Sequence, residues 1–508
     1  MRPSPAPVKL APMARGSGSR RIGVIVGIAA ILACLGLLPA GATASAAKGH
    51  FKVYTFVLDG LDGDALGEGG APFISSLIDG ESGANTTYFP NSRSVMVAET
   101  NPNHTAMITG AFPKRSGITG NEFAVYGQPP DEDSCPAKLT PSGPPMATSG
   151  ENTGCVKVPN LFETVQKRPK PDRVTTALIM GKPKLARLFA SDNSGREGYD
   201  ADYVWAPCDN AEPYCEEVPT NPVTGYALTD EVVMDEVIRT TQDGVLDGGK
   251  SRVPDFTFAN FPLIDSAGHI SGRTSAAYDE ALTLADTQIK RFVDNQKQLG
   301  LWEKTVLMIV SDHSMQDTPQ LNKISLADAL IAGGIPETAF TVVGNGNAAH
   351  IYLNERKAPD AATTLKQMRN VLAGLPGVEN ALYRKPNPAD GGEAHTIARV
   401  HPLWGLGGAR TGDLVISTVA GVGVLDTSEA NSFPLNPLPG NHGAPYTRDN
   451  TFLITGGSPV IRQRTSKARA SNADVNPTVM RLLDRKPAKT VQGKFRHEAF
   501  DKKLLPKR

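Results

Sequence analysis

The sequence predicts an α/β protein built on a mostly parallel central sheet with helices on both faces, carrying a small α+β insert. Three observations support that fold. Runs of strand length such as KVYTFVL (52–58), RVTTALIM (173–180) and TVLMIV (305–310) are apolar or β-branched almost throughout, the pattern of strands covered on both faces. Helix-length amphipathic stretches fall between them, at 229–242 and 275–299, and strand–helix alternation implies parallel pairing. The runs also lead into chemistry-bearing residues: Asp59, Lys182 with Lys184, Asp265 and Asp312. Ligands of open parallel sheets sit beyond the carboxyl ends of the strands, so four such places on one edge mark that edge as the working face.

In order along the chain, Lys52–Leu58 is a strand ending at Asp59-Gly60, and Pro72–Ile78 is a short helix with proline at its start. Ser92–Val97 leads into Glu99-Thr100-Asn101-Pro102-Asn103-His104. Pro102 disfavours helical backbone at Asn101, so Thr100 and Asn101 are expected in an extended or turn segment, with a helix starting at Asn103 over Ala106, Met107 and Ile108. A Thr100 hydroxyl at a helix N-terminus, where free N–H groups and the macrodipole favour an anion, is a candidate nucleophile for a phosphate ester. Residues 124–157 read as a loop insertion rich in Pro and Gly. Helix 158–166, strand 173–180, the turn Gly181-Lys182-Pro183-Lys184, helix 185–189 and helix 229–242 follow. A third strand-like run, 255–264, stops at Asp265, and strand 305–310 ends in Ser311-Asp312-His313.

Residues 321–440 differ in character. Apolar segments at 338–353, 378–383 and 413–425 with one helix at 361–375 predict a small α+β insert, so the catalytic core is expected at 47–320 and 441–508. The chain returns to the core through strand 451–455 and helix 475–483.

Composition bounds the function. The 508 residues carry 52 basic and 52 acidic side chains, with 40% hydrophobic and 20% charged residues. Residues 1–46 hold five basic residues and no acid, and removing them leaves 47 basic against 52 acidic. That balance argues against a nucleic-acid-binding face. The same segment has a basic start ending at Arg20-Arg21, an apolar run over 22–38 and Ala44-Ser45-Ala46, the order of a cleavable signal peptide. A secreted protein with no stable membrane partner is therefore expected, an uncleaved anchor being the rival. Four cysteines follow: Cys135, Cys155, Cys208 and Cys215. An even count in an exported chain reads as disulfides. Of the three pairings, Cys135–Cys155 with Cys208–Cys215 demands least of the chain; a zinc–cysteine site is the rival, without a C-x-x-C pair to support it.

The polar residues at the working edge suit metals. Asp265-Ser266-Ala267-Gly268-His269 spaces a carboxylate and an imidazole four apart, able to face one way on a turn or helix. Asp312-His313 is an adjacent pair, Asp59 a carboxylate in a similar place, and His442 stands between Gly440-Asn441 and Gly443. Three Asp and three His suit two divalent ions such as zinc. Two metals about 4 Å apart can clamp a phosphoryl group between attacking and leaving oxygens.

In order, Asp59-Gly60, Thr100-Asn101-Pro102-Asn103-His104, Gly117-Ile118-Thr119-Gly120-Asn121, Asp265-Ser266-Ala267-Gly268-His269, Ser311-Asp312-His313-Ser314-Met315 and Asn441-His442-Gly443 resemble the alkaline phosphatase superfamily, and most closely its type I phosphodiesterase/nucleotide pyrophosphatase branch. The resemblance covers about residues 51–485 and implies an alkaline phosphatase-like core. It implies one metal shared by Asp265, His269 and His442. It implies a second on Asp59, Asp312 and His313 with the Thr100 oxygen as remaining ligand. It also implies attack by Thr100 through a phospho-threonine intermediate, with Asn121 donating to a phosphoryl oxygen.

Two lysines bear on the ester. A phosphomonoester dianion needs more positive charge than a diester, and Lys182 and Lys184 follow a core strand on the working edge. Relatives of the pyrophosphatase branch carry an aromatic-rich segment at this place, whereas Lys-x-Lys is similar to the threonine-dependent monoesterases and phosphonoacetate hydrolases. The lysines put a phosphomonoesterase slightly ahead, with a phosphodiesterase/nucleotide pyrophosphatase or a phosphonatase as alternatives. The substrate expected is a small-molecule phosphate ester or phosphonate. A phosphoglycerate mutase-type phosphotransferase and a non-catalytic metal-binding protein are disfavoured by the export signal and by the intact nucleophile. A sulfatase would need a Cys or Ser where Thr100 stands.

Overall fold

A computed structural model describes residues 51–125, 135, 143–147, 154–166, 174–189, 201–207, 215–216, 227–247, 249–319, 321–425 and 438–506. The strands used below are β1 (Lys52–Leu58), β2 (Asn85–Tyr88), β3 (Thr176–Met180), β4 (Tyr203–Pro207), β5 (Cys215–Glu216), β6 (Phe256–Phe261), β7 (Thr305–Val310), β8 (Phe340–Asn345), β9 (Ala348–Leu353), β10 (Val378–Tyr383), β11 (Leu414–Thr418), β12 (Phe452–Gly456) and β13 (Arg464–Thr465). The principal helices are α1 (Pro72–Asp79), α2 (Thr100–Thr109), α3 (Pro183–Phe189), α4 (Ala227–Gln242), α5 (Leu263–Ser271), α6 (Ala276–Gln298), α7 (Ala361–Ala373) and α8 (Val475–Leu482).

Nine strands form the main sheet in the order β13-β2-β12-β7-β1-β6-β3-β4-β5. Six of the neighbour pairs run parallel; only β12 departs, pairing antiparallel with β7 and with β2. The period-2 alternation of side chains divides each central strand between two cores. Val53 and Val57 of β1 join Phe256, Phe258, Met308 and residues of α2, α3 and α8 on one face. Tyr54, Phe56 and Leu58 join Phe261, Ile309 and residues of α1, α4 and α6 on the other. Phe292 of α6 packs edge-on to Tyr54 and Phe56 at centroid distances of 4.7 and 4.8 Å. Truncating such a ring to alanine costs about 3–5 kcal/mol. A sheet buried on both faces exposes its edges, and the carboxyl ends of β1, β3, β6 and β7 lie side by side.

Between residues 323 and 425 the chain builds a separate antiparallel sheet, β8-β9-β11-β10, over its own core of Leu326, Leu330, Ile351, Met368, Leu372 and Ile416. It has a second helix, Leu326–Ala332, beside the one expected from the sequence; seven residues show too little periodicity to be read in advance. The loop insertion holds a short ladder, Phe123–Ala124 with Met146–Ala147, and a Cys135–Cys155 disulfide. The expected Cys208–Cys215 bridge and the segment 1–46 lie outside the described residues. No helix among the described residues is long and apolar enough to cross a membrane.

Two boundaries differ where chemistry is concerned. Helix α2 begins at Thr100, not Asn103. The first N–H groups of a helix have no intrahelical partner, so Pro102 in the first turn gives up no bond. Asp265 does not end a strand: β6 stops at Phe261, and Asp265 stands in the first turn of α5.

Candidate active site

Asp59 follows β1, and the turn behind it requires glycine. Gly60 has φ +73°, and a Cβ there would lie 2.8 Å from the Asp265 Cα, so its absence lets the β1 turn and α5 meet. The Gly60 N–H donates to Asp312 Oδ1 at 3.1 Å, and the Gly60 carbonyl accepts from Tyr278 Oη at 3.0 Å. Asp312 and His313 follow β7, while Asp265 and His269 share one face of α5 because four residues make about one turn. His442 comes from the segment returning from the α+β insert. Gly346, at the β8–β9 hairpin with φ +63°, allows that approach: a Cβ there would lie 2.1 Å from the His442 carbonyl, which accepts the Asn347 N–H at 2.6 Å.

These residues converge in two groups. His269 Nε2 lies 3.4 Å from Asp265 Oδ1 and 3.1 Å from His442 Nε2, and His442 Nε2 lies 3.6 Å from Asp265 Oδ1. His313 Nε2 lies 3.2 Å from Asp312 Oδ2 and 3.7 Å from Asp59 Oδ1. His313 also clusters with Asp265 and His442, so the groups adjoin. Thr100 Oγ1, at the start of α2, is 3.4 Å from His313 Nε2. The sequence-selected candidate ligands and the Thr100 hydroxyl thus share one place, buried except at His269, whose side chain is 23% exposed.

The donor chemistry fits metal ions. Asp59 Oδ1, Asp265 Oδ1 and Asp312 Oδ2 are buried without a hydrogen-bond partner, an arrangement costly in a protein interior unless a cation satisfies it. The Nδ1 atoms of His269, His313 and His442 face the carbonyls of Gly440, Ser314 and Ala98 at 3.1, 3.2 and 3.1 Å. A carbonyl only accepts, so each Nδ1 carries the hydrogen and each neutral ring presents an Nε2 lone pair to the site. Burial depresses the pKa of His269, and burial together with the neighbouring imidazoles, where a second proton would be repelled, holds His442 well below its usual value.

Charge within the site is uneven. Burial and then the neighbouring Asp312 push Asp59 up to about 6. Burial also penalises the Asp265 carboxylate, but Lys182 and the three histidines outweigh it and hold that group well below its ordinary value. Lys182 Nζ sits 2.9 Å from Asp59 Oδ2 and 2.7 Å from Asp265 Oδ2. It is therefore engaged with carboxylates of both groups. Burial and then the like charge of Lys182 push Lys184 below its usual range.

Asn121 meets the mouth of α2. Its Oδ1 accepts the Asn101 N–H at 2.9 Å, and its own N–H donates to Glu99 Oε2 at 2.7 Å. Burial raises Glu99 to about 8. The α+β insert braces this turn: His350 Nε2 donates to the Thr119 carbonyl at 3.0 Å while Nδ1 accepts the Gly412 N–H at 3.3 Å. Arg410 Nη1 donates to the carbonyls of Gly117 and Cys155 at 3.1 and 2.5 Å, and the Arg410 carbonyl accepts from Thr119 Oγ1 at 3.2 Å.

Sequence reading assigned no role to His104 or Asn260, and gave Asn103 only the start of a helix. Asn260 Nδ2 lies 2.9 Å from Asp59 Oδ2 and 3.1 Å from His104 Nε2, and His104 Nδ1 meets the Thr100 carbonyl at 3.0 Å. Asn103 ties down the approach to Thr100, accepting the Val95 N–H at 2.6 Å and donating to the Glu99 carbonyl at 2.9 Å. Asn260 carried a signal: it is the one amide inside the fully buried strand FTFANF.

The chain matches the family model "Type I phosphodiesterase / nucleotide pyrophosphatase" over residues 53–445. Among curated proteins it resembles ectonucleotide pyrophosphatase/phosphodiesterase 1 of Saccharomyces cerevisiae, 23% identical over 329 residues, covering 60% of this chain and 41% of that protein. It also resembles alkaline phosphatase PhoD of Zymomonas mobilis, 22% identical over 284 residues, covering 44% of this chain and 47% of that one. The chain thus spans less than half the length of either. The fold is similar to that of murine ectonucleotide pyrophosphatase/phosphodiesterase 5, with TM-score 0.63, 16% identity, and 89% of this chain and 100% of that one covered. An inactive variant of the murine protein in complex with AMP matches with TM-score 0.63 and 17% identity, covering 90% of this chain and 100% of that one. By the extent of the family match, this chain belongs to the type I phosphodiesterase/nucleotide pyrophosphatase family, a family of phosphoester hydrolases.

Proposed function

We propose that the protein is a two-metal phosphodiesterase or nucleotide pyrophosphatase that uses Thr100 as nucleophile. The observation that carries this reading is the convergence of three partnerless carboxylate oxygens and three imidazole Nε2 atoms beside the Thr100 hydroxyl. Asp265, His269 and His442 would hold one ion and Asp59, Asp312, His313 and Thr100 the other; the donor set of nitrogens and carboxylates suits zinc. When bound, the ions would acidify the Thr100 hydroxyl and offset charge on the attacking and leaving oxygens.

The chain's residues supply the rest. Thr100 Oγ1 attacks phosphorus, the bond to the leaving oxygen breaks, and an ester on Thr100 results. Water then displaces Thr100, releasing the phosphomonoester and restoring the hydroxyl. Asn121 has its Oδ1 occupied by the Asn101 N–H, so the donor end of its amide is what it offers to a phosphoryl oxygen. Asn103 and His104 fix the Thr100 backbone from both sides.

The order of preference drawn from the lysines is reversed here. The family match and the names of the yeast and murine relatives favour diester or pyrophosphate substrates over monoesters. Lys182, one of the two lysines on which the dianion argument rested, has its ammonium on Asp59 and Asp265. An exported location is proposed on residues 1–46 alone. Turnover of bis-p-nitrophenyl phosphate against p-nitrophenyl phosphate by zinc-loaded protein tests the substrate class. The diester is expected to turn over faster; a faster monoester would restore the phosphomonoesterase reading.

A further inference from the structure

The α+β insert contains a cavity of about 570 Å³ made from residues that take no part in the centre described above. Its charged lining residues are Arg356, Arg384, Lys385 and Asp413, an excess of two positive charges. Asp413 fixes both guanidiniums: Oδ2 accepts from Arg356 Nε at 2.8 Å and Oδ1 from Arg384 Nη2 at 2.6 Å. Oδ2 also accepts the Leu353 N–H at 3.0 Å, which anchors the carboxylate to β9. One carboxylate shared by two arginines leaves a net cation. The Arg384 side chain is only 10% exposed, and its Nε is buried without a hydrogen-bond partner.

The wall opposite adds field of the same sign. Ala361 and Ala362, in the first turn of the 13-residue α7, line the cavity, and the preceding Asp360 makes no side-chain cap. The Ala361 N–H donates to the Ala358 carbonyl at 3.1 Å, and the helix start beyond it presents the positive end of the macrodipole. Leu353, Leu365, Tyr383 and Pro386 supply apolar surface between the charged places. The volume lies in the range of small-molecule sites and is larger than one inorganic anion requires.

We propose that this cavity is a second ligand site, taking a small organic molecule with a doubly charged phosphate-type head. The head sits between Arg384, Lys385 and the start of α7, and the organic body lies on Leu365 and Tyr383. Pre-fixed guanidiniums recognise such an oxyanion without paying to order their side chains at binding.

Phenylphosphonate, a non-hydrolysable probe with a dianionic head and an apolar body, tests the site by calorimetry on the zinc-loaded full chain. Its inhibition constant against diester hydrolysis reports the catalytic centre separately. An Arg384→Gln/Lys385→Glu variant is expected to bind one equivalent fewer than wild type, with turnover and inhibition constant unchanged. The exposed Lys385→Glu change alone is expected to weaken that equivalent at least tenfold, which keeps the test decisive if the double variant folds poorly. Equal stoichiometry and affinity in wild type and Lys385→Glu would overturn the proposal. So would a wild type whose only bound equivalent matches the inhibition constant. Succinate in place of phenylphosphonate separates a dicarboxylate ligand from a phosphate-type one; tighter succinate binding contradicts the assigned head group.

Discussion

His269 and His442 present their Nε2 atoms to one another at 3.1 Å while each Nδ1 faces a backbone carbonyl. Two lone pairs at that separation repel unless a cation lies between them, and burial disfavours a proton there. Chelation should therefore abolish hydrolysis and lower the melting temperature, and zinc should restore both at about two ions per chain by elemental analysis. Recovery of activity without metal would contradict the assignment. Because the Lys182 ammonium occupies Asp59 Oδ2 and Asp265 Oδ2, Lys182→Met should tighten zinc binding in chelator competition. A weaker metal in that variant would mean that the lysine organises the site more than it repels the ions.

Arg410 reaches from the insert to the carbonyls of Gly117 and Cys155, two ends of the loop that carries Asn121. Arg410→Ala removes a charged donor from both buried carbonyls, at a cost of about 1–3 kcal/mol. Turnover is expected to fall roughly tenfold to a hundredfold with zinc content unchanged, since a small misplacement of a transition-state contact is expensive. Unchanged turnover alongside a lower melting temperature would confine Arg410 to stability.

What the sequence made legible, and what it hid, divides along physical lines. Asp59, Asp312 and His313 were readable because each follows an apolar strand, and parallel strands put such positions on one edge. His269 was readable from its spacing to Asp265. The bracing of Asn121 by His350 and Arg410 was not, because those contacts join residues 231 and 293 positions apart through side-chain rotamers that no local pattern encodes. The start of α2 was misjudged because Pro102 restricts its predecessor locally, while Asn103, His104 and Asn121 hold the first turn helical from around it.

Asp230 gives a pH test read from stability rather than turnover, with the charges of Asp59 and Lys182 also reaching it. Its Oδ1 accepts the Leu263 N–H at 3.1 Å at the start of α5, and burial pushes its pKa up to about 8. The folded protein therefore holds a proton that the unfolded chain releases near pH 4. With more protons bound in the folded state, stability falls as pH rises from about 4 towards 8. Asp230→Asn should flatten that slope, by at most about 1.4 kcal/mol per pH unit. Urea midpoints of the two proteins between pH 5 and 8 check this; parallel curves would show that Asp230 is ionised in the folded state.

The account rests most directly on the Thr100 hydroxyl beside His313. Diester turnover by Thr100→Ala, measured with zinc content on the same sample, is the sharpest single test. A loss of at least about a thousandfold with two zinc ions retained is the predicted result, given the size of effects at attacking groups. Turnover within tenfold of wild type at full metal loading would contradict attack by Thr100.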